Sequence, residues 1–138
     1  MQPYSDLEIF EALQMMGPTK SPGPDGFNAL LFQHYWDIVE KDVLSLVQGV
    51  LAGGRLPSNL NHTNVVLIPK TKQPVHISEF RPISLCNVVY KIITKVISIR
   101  LKKILPHIIS DTQSAFIPGR LITDNILIAY EIFHSMFN

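Results

Sequence analysis

Cysteine, net charge and long apolar runs are all scarce in this sequence. Its 138 residues contain a single cysteine, Cys86, which excludes a disulfide framework and a cysteine-based zinc site. The first residues lack the basic and apolar regions of a signal peptide, and charged residues interrupt the apolar stretches before they reach membrane-spanning length. We therefore expect a soluble, intracellular chain that makes no contact with a membrane.

The motifs of self-contained enzymes are also absent. No G-x-S-x-G, H-E-x-x-H or phosphate-loop sequence occurs. The acidic pairs Asp6/Glu8 and Glu40/Asp42 lie on predicted helices, where they are typical of solvent-facing charge. The five histidines show no spacing typical of metal ligands and are interpreted as surface or packing residues: His34, His62, His76, His107 and His134. The residues alone therefore assemble no complete active site.

The sequence does contain enough apolar residues for a folded domain. Hydrophobic residues make up 46% of the chain and charged residues 17%, a balance that excludes a disordered polar tail. The length allows one domain with a core of modest size.

The formal net charge of +1 conceals a segregation of charge along the chain. Residues 1–64 carry three basic and seven acidic side chains, a net charge of −4, whereas residues 65–120 carry nine basic and two acidic ones, a net charge of +7. A basic block inside a nearly neutral chain favours a polyanionic partner. A solvated basic helix face would produce the same block, so composition leaves both interpretations open.

Residues 1–62 combine two helical regions with a turn between them. An S-x-x-E capping box at Ser5 begins the first helix, and the second region covers 27–52 with a break near Asp37. The run KSPGPDG at 20–26 contains two prolines, two glycines and an aspartate, and it predicts a tight turn.

Residues 63–86 are predicted to form a β-hairpin. The runs 64–69 and 80–85 predict strands, with Pro82 at an edge or a strand end. Lys70 closes the first strand and Arg81 opens the second, so both side chains could reach one anion. Two basic residues that flank a loop are, alternatively, simply solvated.

Residues 87–138 return to a helical pattern. Asn87 is expected to cap a helix that Pro106 ends, and Thr123 or Asp124 is expected to cap a last helix. Taken together, the three segments predict a predominantly helical α+β fold.

The charged residues of the helix that follows Asn87 have two distinct positions. One narrow stripe carries Lys91, Lys95, Ser98 and Lys102. Arg100 falls within the apolar arc, where a charge must extend to solvent, pair with a carboxylate or contact a ligand.

Five blocks of this sequence resemble the reverse transcriptases of non-LTR (LINE-type) retrotransposons, particularly those of plant genomes. They are, in chain order, KSPGPDG at 20–26, VLIPK at 66–70, FRPISLCN at 80–87, YKII with RLK at 90–93 and 100–102, and QSAFIPGR with TDN at 113–120 and 123–125. The blocks span nearly the whole chain in the order of the family, which makes them more specific together than any one alone.

The resemblance implies a right-hand polymerase fold, of which residues 1–138 supply the fingers hairpin, its packing helices and the start of an incomplete palm. It assigns Lys70 and Arg81 to the triphosphate of the incoming nucleotide. It also places four residues near the template and primer: Lys20, Asp25, Gly119 and Arg120.

The same resemblance bears on activity. Complete enzymes of the family hold Mg²⁺ with aspartates, two of them adjacent, and no Asp-Asp pair occurs in these 138 residues. We therefore expect an N-terminal fragment of an RNA-directed DNA polymerase that binds no metal and is inactive alone. Its expected partners are an RNA template, a DNA primer and a deoxynucleoside triphosphate, and its expected location is the nucleus. The alternatives are a non-catalytic basic nucleic-acid-binding module and a non-functional retroelement remnant.

Overall fold

A computed structural model describes residues 3–110, 113 and 119–137 of the chain. Their helices and strands follow in the order α1 (Asp6–Gln14), α2 (Ala29–His34), α3 (Trp36–Leu51), β1 (Thr63–Pro69), β2 (Phe80–Cys86), α4 (Val88–Ile108) and α5 (Ile122–Phe137). Short 3₁₀ turns at Ser58–Asn61 and Ile77–Glu79 precede the two strands. The predominantly helical α+β class is confirmed. No helix in the described part of the chain has the length and apolar character needed to cross a membrane.

The first helix begins where the capping box predicted it. The Ser5 amide donates to the Glu8 carboxylate at 3.0 Å, and the Glu8 amide donates to the Ser5 hydroxyl at 3.3 Å. These two bonds satisfy backbone donors that a helix start leaves without intrahelical partners.

The predicted helical region over 27–52 is divided into α2 and α3. The break falls at Tyr35, whose φ of −105° and ψ of 30° lie outside the helical range. Asn28 caps α2 by accepting a hydrogen bond from the Leu31 amide at 3.2 Å. Gly53, with a φ of +98°, ends α3 in a conformation that favours glycine.

The two strands form an antiparallel hairpin, as predicted. Their register runs from Thr63 opposite Cys86 to Pro69 opposite Phe80. Both strands of a two-stranded sheet are edges, so Pro82 is tolerated within β2.

The core lies among the helices of residues 1–96, which form one compact unit. Its buried hydrophobic side chains come from α1, α2, α3 and the first turns of α4: Ile9, Ala12, Leu13, Ala29, Phe32, Val43, Val47, Val88, Ile92, Ile93 and Val96. The hairpin strands contribute none of these residues.

Asn87 is a buried polar residue between β2 and α4, with 6% of its surface exposed. Its backbone carbonyl accepts from the Lys91 amide at 3.1 Å, as expected at the start of a helix. Its side chain reaches across the fold instead of along its own helix. The Oδ1 atom accepts from the Asp25 amide at 3.3 Å, and the Nδ2 atom donates to the Asn59 carbonyl at 3.4 Å.

The prediction that Pro106 ends a helix was wrong. Helix α4 continues through Pro106 to Ile108, and the Ile109 amide still donates to the Leu105 carbonyl at 3.1 Å. Proline lacks an amide donor and its ring crowds the carbonyl four residues earlier, but Pro106 lies in the last turn of α4, which ends two residues later.

Residues 97–138 form a second compact unit. Helix α5 begins at Ile122, earlier than predicted, and the Asp124 carboxylate accepts from the Leu121 amide at 3.0 Å. Asp124 therefore acts from the first turn of the helix and not as its cap residue. Large apolar side chains of α5 are exposed, among them Ile126, Tyr130 and Phe133.

Replacing Gly23 by alanine is expected to lower the free energy of unfolding by about 1–3 kcal/mol, the range for overpacked sites. A Cβ atom on Gly23 would lie 2.5 Å from the Asn87 amide nitrogen and 2.6 Å from the Cys86 carbonyl carbon. Since both atoms belong to the backbone, the turn would have to move. Urea denaturation measures the change.

Gly49→Ala provides the matched control. Gly49 lies within α3, and apart from its chain neighbours and the backbone of its own helix, no atom lies within 4 Å of a Cβ added there. This variant is expected to raise the free energy of unfolding by about 0.5–1 kcal/mol. Equal stabilities for the two variants would contradict the close packing of the turn on Asn87.

Candidate nucleotide and nucleic-acid interface

The hairpin brings Lys70 and Arg81 to one face near its tip. Arg81 pairs with Ile68, and the Lys70 amide donates to the Glu79 carbonyl at 2.7 Å, which extends the ladder one residue beyond β1. Residues two apart on a strand share a face, so Lys70 and Arg81 are diagonal neighbours. Such pairs have Cα atoms about 7–8 Å apart, within reach of two long cationic side chains.

Both cationic side chains are exposed to solvent. The Lys70 ammonium donates to the Ser78 carbonyl at 2.7 Å. An ammonium has three donors, so this bond positions the Lys70 side chain and leaves capacity for a ligand. The arrangement can bind a polyanion with the planar fork of arginine and the point charge of lysine.

The connection between the strands is stabilised by Glu79. Its carboxylate accepts from the Val75 amide at 2.6 Å and from the His76 amide at 2.9 Å. These two backbone bonds hold the pKa of the Glu79 carboxyl below its ordinary value, and the bond from His76 has the larger effect. The acidic residue opposite Lys70 is therefore engaged by its own loop.

Asp25 has a structural position within the turn. Its carboxylate accepts from the Phe27 amide at 3.1 Å, and its own amide donates to Asn87. Gly26 completes the turn with a φ of +78° and donates to the Gly23 carbonyl at 3.1 Å. The predicted tight turn is confirmed, and both polar groups of Asp25 take part in it.

Lys20 lines a cleft together with two lysines of α4. The cleft has a volume of about 230 Å³, and its walls are formed by Met15, Met16, Gly17, Lys20, Ala29, Val88, Lys91 and Lys95. The Lys91 ammonium also donates to the Ser21 carbonyl at 3.1 Å, which links α4 directly to the turn.

Gly119 and Arg120 lie in the second unit. Gly119 has a φ of +81°, and the Arg120 guanidinium donates to the Ser110 carbonyl at 2.6 Å and to the Gln113 carbonyl at 2.9 Å. Arg120 thus binds the backbone of the segment before it. Residues 114–118 of the predicted block lie outside the described residues.

Metal ligands do not cluster in the described part of the chain. Among residues 3–110, 113 and 119–137, no group of three or more histidine, cysteine, aspartate or glutamate side chains could hold a metal ion. The side chains gathered at the hairpin tip and in the cleft are cationic and suit phosphate groups instead.

Sequence reasoning missed the joint position of Lys20, Lys91 and Lys95. The i, i+4 spacing of Lys91 and Lys95 was visible as a stripe on one helix. Nothing in the local pattern connected that stripe with Lys20, since the contact depends on the turn packing against α4.

The lowered pKa of Glu79 predicts a dependence of loop order on pH. Because the pKa of Glu79 is lowered in the folded state, its two carboxylate bonds stabilise the loop fully at pH values above the ordinary glutamate pKa. This stabilisation is lost as the pH falls through the lowered pKa. We expect the Val75 and His76 amide resonances to shift together with the Glu79 carboxyl in an NMR titration, below the usual midpoint near ~4.3. Glu79→Gln, which cannot ionise, should remove that transition. A midpoint at or above the ordinary value would contradict the two carboxylate bonds.

Comparison with known proteins identifies the family of this chain. Residues 68–136 match the family described as reverse transcriptase (RNA-dependent DNA polymerase). The chain is also 36% identical over 127 residues to the Transposon TX1 uncharacterized 149 kDa protein of Xenopus laevis, an alignment that covers 92% of this chain and 10% of that protein. The matched residues include both Lys70 and Arg81 of the hairpin. This chain belongs to the reverse transcriptase family.

Proposed function

We propose that residues 1–138 form the fingers and the first palm elements of the reverse transcriptase of a plant-type non-LTR, LINE-type retrotransposon. The observation that carries this proposal is the hairpin register, which puts Lys70 and Arg81 on one exposed face within a chain of this family. The TX1 protein is much longer than this chain, so an RNA template, a DNA primer and a nuclear location are also parts of the proposal.

Lys70 and Arg81 would bind the triphosphate of the incoming deoxynucleotide. Arginine offers two parallel donors to phosphate oxygens, and lysine contributes a compact charge. Glu79 supports this role because its carboxylate is engaged by the Val75 and His76 amides. The Lys70–Ser78 bond would keep the ammonium near the tip until a phosphate arrives.

The catalytic metal site of the family does not fit the residues described. In the complete enzymes, divalent ions activate the primer hydroxyl and stabilise the leaving pyrophosphate. The donors at the hairpin and the cleft are cationic, and the sequence contains no Asp-Asp pair. We therefore propose that carboxylates outside residues 1–138 hold Mg²⁺ and that this chain alone does not polymerise.

Two other functions have specific support. A non-catalytic nucleic-acid-binding module is favoured by the net charge of +7 over residues 65–120. A non-functional remnant is favoured by the exposed apolar side chains of α5, which a soluble monomer rarely leaves uncovered. Salt-dependent oligonucleotide binding together with no primer extension by a fusion to a related palm segment would support the module, and self-association without binding would support the remnant.

Alanine at Lys70 or Arg81 is expected to lower kcat/KM for the nucleotide by about 10- to 100-fold. Hydrogen bonds to charged groups contribute about 1.5–3 kcal/mol, and each ~1.4 kcal/mol is a tenfold change in rate. Steady-state primer extension measures this in a fusion of residues 1–138 with the palm segment of a related reverse transcriptase. Lys72→Ala is the matched control, since Lys72 is an exposed lysine of the same loop. Unchanged nucleotide kinetics in Lys70→Ala and Arg81→Ala would refute the triphosphate assignment.

The unfused chain is expected to extend no primer on an RNA template in the presence of Mg²⁺. The reason is the lack of an Asp-Asp pair to bind the metals. A gel assay of labelled primer detects extension, and the fusion protein serves as the positive control. Extension above background by the purified chain would show that its own carboxylates suffice.

A further inference from the structure

The cleft lined by Lys20, Lys91 and Lys95 is separate from the hairpin tip. It lies at the base of the hairpin, since Val88 in its wall follows β2 after one residue. Arg81 is five residues before Cys86, and an antiparallel strand rises about 3.4 Å per residue, so Arg81 lies roughly 17 Å from Cys86 along β2.

The residues that line the cleft carry positive charge and no negative charge. Its three ionisable lining residues are all lysines, and no carboxylate is among the lining residues. Lys91 and Lys95 are both half-buried and lie four residues apart on α4, a spacing at which like charges destabilise a helix. A bound anion would relieve that repulsion.

The remaining walls define what kind of anion fits. Met15, Met16, Ala29 and Val88 line the cleft with apolar surface. Methionine side chains are polarisable and adapt to flat or irregular partners. A ligand that combines a phosphate with a flat apolar group satisfies both halves of the cleft, and a nucleotide unit of a nucleic-acid strand has that composition.

We infer that Lys20, Lys91 and Lys95 bind a backbone phosphate of single-stranded nucleic acid, with the methionines against the adjoining sugar or base. The inference rests on the proposed function and adds Lys91 and Lys95 to it. It also separates Lys20, which contacts the strand, from Asp25, which holds the turn. Lys91 has a double role because its ammonium also binds the Ser21 carbonyl.

The test is equilibrium binding of fluorescent single-stranded RNA and DNA to the 138-residue chain over a series of NaCl concentrations. Each lost phosphate contact lowers the slope of log K against log salt by about 0.7 for single strands. Lys95→Gln should therefore weaken binding by up to about fivefold at ~0.1 M salt, and the triple Lys→Gln variant, which loses the whole phosphate contact, should lower the slope by about 0.7. Lys41→Gln, an exposed lysine of α3, is the control and should change neither quantity by as much.

Lys95→Gln separates binding from folding. Lys91→Gln would also remove the hydrogen bond that links α4 to the Ser21 carbonyl. Lys95 lies on the same helix and lines the same cleft, so it is the residue chosen for the test. Glutamine keeps much of the stem and removes the charge. An unchanged salt slope in Lys95→Gln and in the triple variant, with the cooperative unfolding transition retained, would overturn the inference.

Inorganic pyrophosphate distinguishes a strand from a free anion. If the cleft binds a strand, pyrophosphate should displace the oligonucleotide no better than NaCl at matched ionic strength. Stronger displacement by pyrophosphate, together with a salt slope that Lys95→Gln leaves unchanged, would identify a free-anion site and overturn the inference.

Kinetics of the fusion protein test the strand-binding inference and the proposed function separately. Lys95→Gln should raise the template concentration needed for half-maximal extension and leave the nucleotide KM unchanged. Lys70→Ala should do the reverse. A Lys95→Gln effect on the nucleotide KM alone would count against the strand site while leaving the triphosphate assignment intact.

Discussion

The hydrogen bonds of the Asn87 side chain fix the relative positions of the turn, the hairpin base and helix α4. A buried amide whose partners are lost costs about 1–3 kcal/mol, so the Asp25 amide and the Asn59 carbonyl are held firmly where Asn87 requires them. Gly23 is needed at the same place because any side chain there would meet the Asn87 backbone. Since β2 leads directly into Asn87, this contact also sets the direction in which the hairpin leaves the core. Both candidate anion sites therefore depend on it.

Much of the fold was predictable because its signals are local. The capping box at Ser5 and the strand-breaking residues around the hairpin each act within a few residues, and the structure contains both elements. Local rules were less reliable for Pro106, which lies in the last turn of α4 and does not end the helix. The break at Tyr35 was predicted near Asp37, two residues away. It depends on how α2 and α3 pack, which is a tertiary property.

Of the two candidate anion sites, only the hairpin tip was predictable from the sequence. The shared face of Lys70 and Arg81 follows from the hairpin pattern, since strand alternation decides which residues share a face. The cleft required contacts between distant segments: Lys91 and Ser21 are 70 residues apart. Asp25 has a structural role that the family motif does not indicate, because its carboxylate and its amide both bind within the fold. A sequence motif identifies important residues, but it does not distinguish residues that bind a ligand from residues that stabilise the fold.

Segregation of charge along the chain is not segregation in space. Lys20 belongs to the segment of net charge −4, yet it lies in one cleft with two lysines from the basic segment. The net charge of a segment therefore understates the local field, which depends on the charges within about 10 Å at ordinary salt. For the same reason, a chain of net charge +1 can still bind a polyanion. The cleft lysines come from the turn and α4, whereas Lys70 and Arg81 come from the hairpin, so a strand in the cleft and a nucleotide at the tip would bind to different cations.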